Sequence, residues 1–296
     1  MSVEKSGFGY WKLFKYCFSW LKTPEGRTQF TKLFIALCFA AILLFLSAIA
    51  IFAGVSLWKI LLALFVIGGL AYVIAIFYLD GWITLKVLQT HGTGRKVFSL
   101  KTLWGFFEVS IRAMLYAFLS LKKPAFLLLA IAGGGLLVIS GAGYATFELG
   151  IILLALYGLV IVYNFARLLI SSFIFLAGET KSPQQSIEES FKLTEGKTKE
   201  AVIALALVLG LMFGAAILIE TFFGIALFVA VEEVSIKEAM QTQSVGIVEG
   251  LVFAAVTGAI SKAAYLIIGS YGGVYAYFWF AGKPINKKRK GGGYKK

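Results

Sequence analysis

Apolar residues follow two patterns along this chain. In the first they run unbroken. Leu33 to Leu57 contains no charged residue, and neither does Ile60 to Leu79. Each run is long enough to cross a hydrocarbon layer of about 30 Å. Further runs at about 124–140, 146–177, 201–223 and 257–281 bring the predicted spans to six, the second closing at Asp80. In the second pattern apolar residues recur every three or four positions with charge opposite them, at 10–22, 99–121 and 183–195, which predicts amphipathic helices lying on a membrane surface. In the middle one Leu100, Leu103, Trp104, Phe107, Ile111, Met114, Leu115 and Phe118 form the apolar set, Lys101, Glu108 and Arg112 oppose it, and Ser99 is the cap.

The fold expected is therefore all-α and polytopic: six transmembrane helices arranged as three hairpins, each preceded by a cytoplasmic amphipathic surface helix. Residues 1–32 form a cytoplasmic lead, 33–282 the membrane domain and 283–296 a basic, disordered tail. A β-barrel is excluded, because its strands need about ten residues of alternating polarity. The lead carries lysines and the first run is too long for a signal-peptide core, so the N-terminus is expected to be retained.

Tyr163 to Lys199 is the most sharply punctuated stretch. An apolar run carrying Tyr163, Asn164 and Arg167 closes at Ala177, and Gly178 to Lys181 breaks the pattern. Ser182-Pro183-Gln184-Gln185 is a capping box with proline at the first helical position, so Gln185 is expected to reach back across the cap. Ile187 and Phe191 share one face, Glu188 and Lys192 are spaced for an i,i+4 pair, and Gly196 supplies a left-handed stop.

Composition agrees with a membrane chain: 59% of residues are hydrophobic and 15% charged, against about a quarter charged in soluble domains. The net charge of +13 is dispersed rather than gathered in a phosphate-tracking patch, which argues against nucleic acid as a partner. Its distribution orients the chain. Residues 1–32 hold six Lys/Arg, 80–124 seven, 178–200 four and 283–296 seven, which is 24 of the 28, whereas the opposite turns hold only Lys59 and Lys237. Both termini are expected in the cytoplasm of a multi-pass cell-membrane protein, with the anionic inner leaflet as the first partner.

Candidate chemistry is sparse. Cys17 and Cys38 cannot build a disulfide framework, and His91, the one histidine, has no second ligand nearby in sequence to make a metal site. Neither a phosphate loop nor H-E-x-x-H is present. No cofactor is expected. Gly210/Gly214 and Gly269/Gly273 have the spacing that lets membrane helices approach closely. Glu220 and Lys262 lie symmetrically about a hairpin centred near residue 241, its middle marked by Glu232, Glu233, Lys237 and Glu238, which predicts a salt bridge between adjacent antiparallel helices. Arg167, with Asn164 a turn earlier, is placed to snorkel to lipid phosphate or to pair with Asp80 or a carboxylate of the elbow.

Arg167, the polar elbow, Pro183 and the run Ser186-Ile187-Glu188-Glu189-Ser190-Phe191-Lys192-Leu193-Thr194-Glu195-Gly196-Lys197 resemble the S-W-x-L-T-x-G pattern of the six-span membrane domain fused to some glycerophosphodiester phosphodiesterases, with Phe191 in place of the more usual Trp. The aromatic exit Tyr275 to Phe280 is similar too. The resemblance implies a helical membrane domain without a known active site, and the metal-binding catalytic domain of the fused enzymes has no counterpart here. The function expected is a non-catalytic membrane module that organises lipids or an unidentified protein partner. The alternative is a transporter or channel for a small or amphiphilic molecule, and a lipid-modifying enzyme using Asp80, Glu108, Glu179 or Glu188 ranks below both.

Overall fold

A computed structural model of the chain describes residues 8–52, 58–120, 124–139, 144–232 and 243–283. Most of the turn expected at 54–59, that expected within 140–146, the charged residues Glu233, Lys237 and Glu238 and the tail from Pro284 lie largely or wholly outside those residues. Every regular element among the described residues is helical. Three helical stretches are long and apolar enough to cross a membrane: Tyr72–Thr90, Thr146–Ala177 and Thr198–Phe223. Only 17% of the most apolar window of Thr146–Ala177 is buried within the protein, so its apolar surface turns outward, as a lipid environment requires.

In chain order the helices are α1 (Tyr10–Cys17), a 3₁₀ turn (Ser19–Lys22), α2 (Pro24–Phe52), α3 (Trp58–Thr90), α4 (Leu100–Phe118), a 3₁₀ turn (Pro124–Phe126), α5 (Leu127–Ile139), α6 (Tyr144–Leu168), α7 (Ser171–Ala177), α8 (Pro183–Leu193), α9 (Thr198–Glu232) and α10 (Gln243–Phe280). The predicted caps are present. Ser99 accepts from Thr102 N–H, Ser182 accepts from Gln185 N–H, and Gly196 takes a left-handed φ of 71°. Gln185 does reach back, but its Oε1 accepts from Lys181 N–H at 3.2 Å, one residue before the cap. Lys192 pairs with Glu189 at 3.6 Å rather than with Glu188, which accepts from Gln184 instead.

Two helices do not follow the ends of the apolar runs. The charge-free run ends at Asp80, but α3 continues through it without a break to Thr90, since an aspartate has only a modestly lower helix propensity and is no helix breaker. The fourth run is not one helix. It breaks at Leu169–Ile170, where the Arg167 carbonyl accepts from the Ser190 hydroxyl at 2.6 Å. A side chain inserted into the backbone ladder is a recognised cause of such kinks.

The chain forms two compact units. The first comprises residues 1–13, 84–207 and 273–296. Within it α4, α6 and α8 enclose a core of Ala113, Ala117, Leu168, Ile187 and Phe191. Helices α5 and α6 approach most closely where Gly133 faces Gly150: a Cβ on either would lie 3.0 Å from the other's carbonyl oxygen. The second unit comprises residues 14–83 and 208–272. There α9 and α10 run antiparallel, Gly272 resting on Val208, Gly269 on Met212 and Ser261 hydrogen-bonding the Ala216 carbonyl. The expected glycine pairs are thus only half used. Gly210 and Gly214 face open space, while both members of the second pair are used, Gly269 against Met212 and Gly273, in the first unit, hard against the Phe173 ring.

Candidate functional site

The polar residues singled out from sequence fall into two groups, one in each unit. In the first unit, α6 supplies donors to helix ends that have none of their own. The last four carbonyls of any helix lack intrahelical partners and carry the negative end of its dipole. Asn164 Nδ2 donates to the Ala117 carbonyl at 3.4 Å and to Ser120 Oγ at 3.3 Å, and the Tyr157 hydroxyl donates to the Phe118 carbonyl. These groups close the C-terminal end of α4, just before Ser120 turns the chain with a φ of 47°.

Arg167 does the same for α8. Its Nη2 donates to the Phe191 carbonyl at 2.7 Å, Nε to Thr194 Oγ1 at 3.4 Å and Nη1 to the Tyr163 hydroxyl at 3.4 Å, while the guanidinium lies 4.9 Å from the centre of the Phe191 ring. Of the partners expected for Arg167, lipid phosphate or a carboxylate, the carboxylate is replaced by a helix terminus and an aromatic face, which complement a planar cation with several donors. The clasp is reciprocal, since Ser190 of α8 donates to the Arg167 carbonyl. A third case escaped the sequence reading. Arg95, in the glycine loop after His91, donates to the carbonyls of Phe175 and Thr180, both at 3.1 Å, and stacks 4.4 Å from the Phe175 ring, closing α7. Its signal was present as an arginine after Gly92-Thr93-Gly94, but nothing local names the helix it serves. His91 itself packs edge-on against Phe278, with ring centres 5.5 Å apart.

A polar seam runs beside this core. Arg112 pairs with Glu108 at 2.6 Å and donates to Gln184 Oε1 at 3.4 Å, and Gln184 donates to the Tyr116 hydroxyl and to Glu188. Glu179 instead accepts from Tyr277 and Lys283. Glu108 and Glu188 thus belong to one seam through Arg112 and Gln184, and Glu179 to another contact set. Burial lowers the Lys283 ammonium from its ordinary value, although the Glu179 carboxylate beside it favours the charged form.

In the second unit the predicted Glu220–Lys262 bridge does not form. Glu220 Oε1 instead shares the Ser261 hydroxyl proton with the Ala216 carbonyl, each at 3.1 Å. The hairpin register was right to within one residue, yet one step along a helix rotates a side chain by about 100°, and Lys262 points elsewhere. Its ammonium lies 4.9 Å from the Tyr265 ring and within electrostatic reach of Asp80. Among the described residues, no ion pair within 4 Å involves Asp80, Glu220 or Lys262, and no group of three potential metal ligands occurs.

No protein-family model, curated protein or solved structure matches this chain. The reading of its function rests on the geometry above.

Proposed function

We propose that the chain is a six-span cell-membrane protein, its crossings paired in three hairpins and both termini cytoplasmic, that serves as a non-catalytic module organising inner-leaflet lipids or a protein partner. The observation that carries this reading is the division of α4 into two faces. Thr102, Gly105, Phe106, Val109, Ala113 and Ala117 are buried against the protein. Leu100, Trp104, Ile111, Met114, Leu115 and Phe118 turn outward, Leu100 82% and Trp104 68% exposed. So large an outward apolar stripe is costly in water and natural at the acyl boundary of a leaflet, where an in-plane helix buries its apolar side. The donors of α6 hold the end of this helix. The layout resemblance to the membrane domain of certain glycerophosphodiester phosphodiesterases belongs to the same reading.

Two measurements test it. Cysteines placed at exposed Glu195 and at Lys295 should both react with a membrane-impermeant maleimide only from the cytoplasmic side; labelling from opposite sides overturns the topology. Trp104 fluorescence, read against a Trp104→Tyr control in liposomes, should be quenched by lipids brominated near the headgroup more than by those brominated at the chain end. The reverse order, or no quenching, overturns the placement of α4.

The second reading, a transporter for a small or amphiphilic molecule, is favoured by one observation: Asp80, Glu220, Ser261 and Lys262 lie in long helices without a close charge-to-charge pairing among the described residues. Ionisable groups in membrane helices commonly line pathways. A cysteine at Ser261 that reacts with water-borne thiol reagents would support a hydrated path, and an inert one would leave the module.

A further inference from the structure

The first turns of α2, in the second unit, carry a polar surface of their own. Pro24, Arg27, Thr28, Thr31 and Lys32 line an open hollow of about 530 Å³. Their spacing of three and four residues puts all five on one helical face. Glu25, the acid of the same turn, is not part of this lining. Continuing along that face, the next outward residues are Ile35 and Phe39, 59% and 67% exposed, while Leu33 and Leu37 on the opposite side are fully buried. The face therefore changes within two turns from two cations and two hydroxyls to bare hydrocarbon. At 1.5 Å per residue, Arg27 to Phe39 covers about 18 Å, close to half of a bilayer's hydrocarbon core of about 30 Å plus the start of the headgroup layer.

We infer that this face of α2 is a binding site for one anionic phospholipid, its phosphate between Arg27 and Lys32 and one acyl chain along Ile35 and Phe39. The occupant follows from charge and polarity together. Two cations attract a phosphate. A soluble anion would leave Ile35 and Phe39 uncovered, and a zwitterionic lipid would bring its own cation to a face that already holds two. Thr28 and Thr31 donate their hydroxyl protons to the Pro24 and Arg27 carbonyls, so the cations rather than the hydroxyls supply the attraction. The headgroup end is held in place by the bend before it. Thr23 Oγ1 accepts from Gly26 N–H at 3.1 Å, and a Cβ on Gly26 would come within 2.5 Å of the Trp20 carbonyl oxygen, so the preceding turn lies tightly on the first turn of α2. The inference rests on reading α2 as a crossing whose N-terminal end meets the inner leaflet.

The test uses the full-length protein in a neutral detergent, titrated with dioleoyl phosphatidylglycerol and with dioleoyl phosphatidylcholine, and bound lipid is counted by native mass spectrometry. One phosphatidylglycerol per chain should be retained and phosphatidylcholine should not. Arg27→Gln/Lys32→Gln should weaken retention about thirtyfold, as expected for losing two surface cations at about 1 kcal/mol each. Arg27→Lys/Lys32→Arg should preserve it, Phe39→Ser should shorten the bound lifetime, and millimolar inorganic phosphate should not displace the lipid. Retention unaffected by Arg27→Gln/Lys32→Gln, or reduced equally by Lys12→Gln/Lys15→Gln on α1, would overturn the site. A wrong topology shows independently, as maleimide labelling of the Glu195 and Lys295 cysteines from opposite sides.

Discussion

Arg167 and Lys262 are both single cations in apolar helices, and the two units treat them differently. The guanidinium of Arg167 meets a backbone carbonyl, two hydroxyls and two aromatic rings, all within the first unit. Lys262 meets one ring face and the field of Asp80, with no ion pair within 4 Å among the described residues. A cation each of whose three nitrogens donates to the protein is committed to holding structure. One with donors to spare remains able to respond to an ion, a proton or a substrate. The contrast separates a structural arginine from a functional candidate where composition and position along a span would rank them together.

The contrast fails first if Arg167 proves dispensable. Arg167→Ala removes a charged hydrogen bond to the end of α8 and the contacts with the rings of Phe191 and Tyr163, and should destabilise the protein by about 3 kcal/mol. Arg167→Lys should recover less than half of that, because an ammonium cannot reach carbonyl, hydroxyl and ring together. Unfolding in detergent by a graded denaturant measures both. Ser190→Ala tests the other half of the clasp. It strips the hydroxyl from the Arg167 carbonyl at the helix break and should cost about 1.5 kcal/mol. A neutral outcome would mean that the break is closed without α8.

Much of this elbow was legible in the sequence, and the reason is locality. Ser182, Pro183, Gln185 and Gly196 act within a turn of themselves, so their roles follow from spacing. Ser190, Phe191, Thr194 and Gly196, on which the family resemblance was read, all have structural roles here: donor to a broken helix, ring beneath a cation, hydroxyl beside it and left-handed stop. What could not be read is where Arg167, Asn164 and Arg95 send their donors, since the acceptors are carbonyls, which carry no sequence signal. The Glu220 prediction shows the same limit. Antiparallel register gave its height correctly, but choosing between Ser261 and Lys262 required the rotation of α10 about its axis. The continuation of α3 past Asp80 to Thr90 was likewise not legible, because a carboxylate ends an apolar run without ending the helix that carries it.

The opposite side of the contrast makes a smaller prediction. Lys262→Met should change stability by less than about 1 kcal/mol, and a double-mutant cycle with Asp80→Asn should give a coupling near or below that value, in line with polar couplings measured between membrane helices. A cost equal to that of Arg167→Ala would make Lys262 a second structural cation and remove the case for a responsive site in the second unit.

One further measurement decides whether the freedom of Lys262 is its own or belongs to a loosely packed unit. Cys17 is fully buried, and a Cβ on Gly272 would fall 3.0 Å from its sulfur and 2.7 Å from Val208, with Tyr16 and Tyr271 packed alongside at 5.6 Å between ring centres. Burial pushes the Cys17 thiol up to about 12. At pH 8 only about one thiol in ten thousand is then ionised, and the thiolate is the reactive form. In a Cys38→Ala background, Cys17 should resist iodoacetamide at pH 8 in the folded protein and react fully once denatured. Raising the pH toward 10 should increase the thiolate fraction about a hundredfold while the thiol stays mostly protonated, so any labelling that does not follow that slope reports opening rather than ionisation. Rapid, pH-independent labelling of the folded protein would mean that α10 moves away from Val208 and Cys17 readily. The sparse contacts of Lys262 would then reflect general looseness, and nothing would distinguish it as a site.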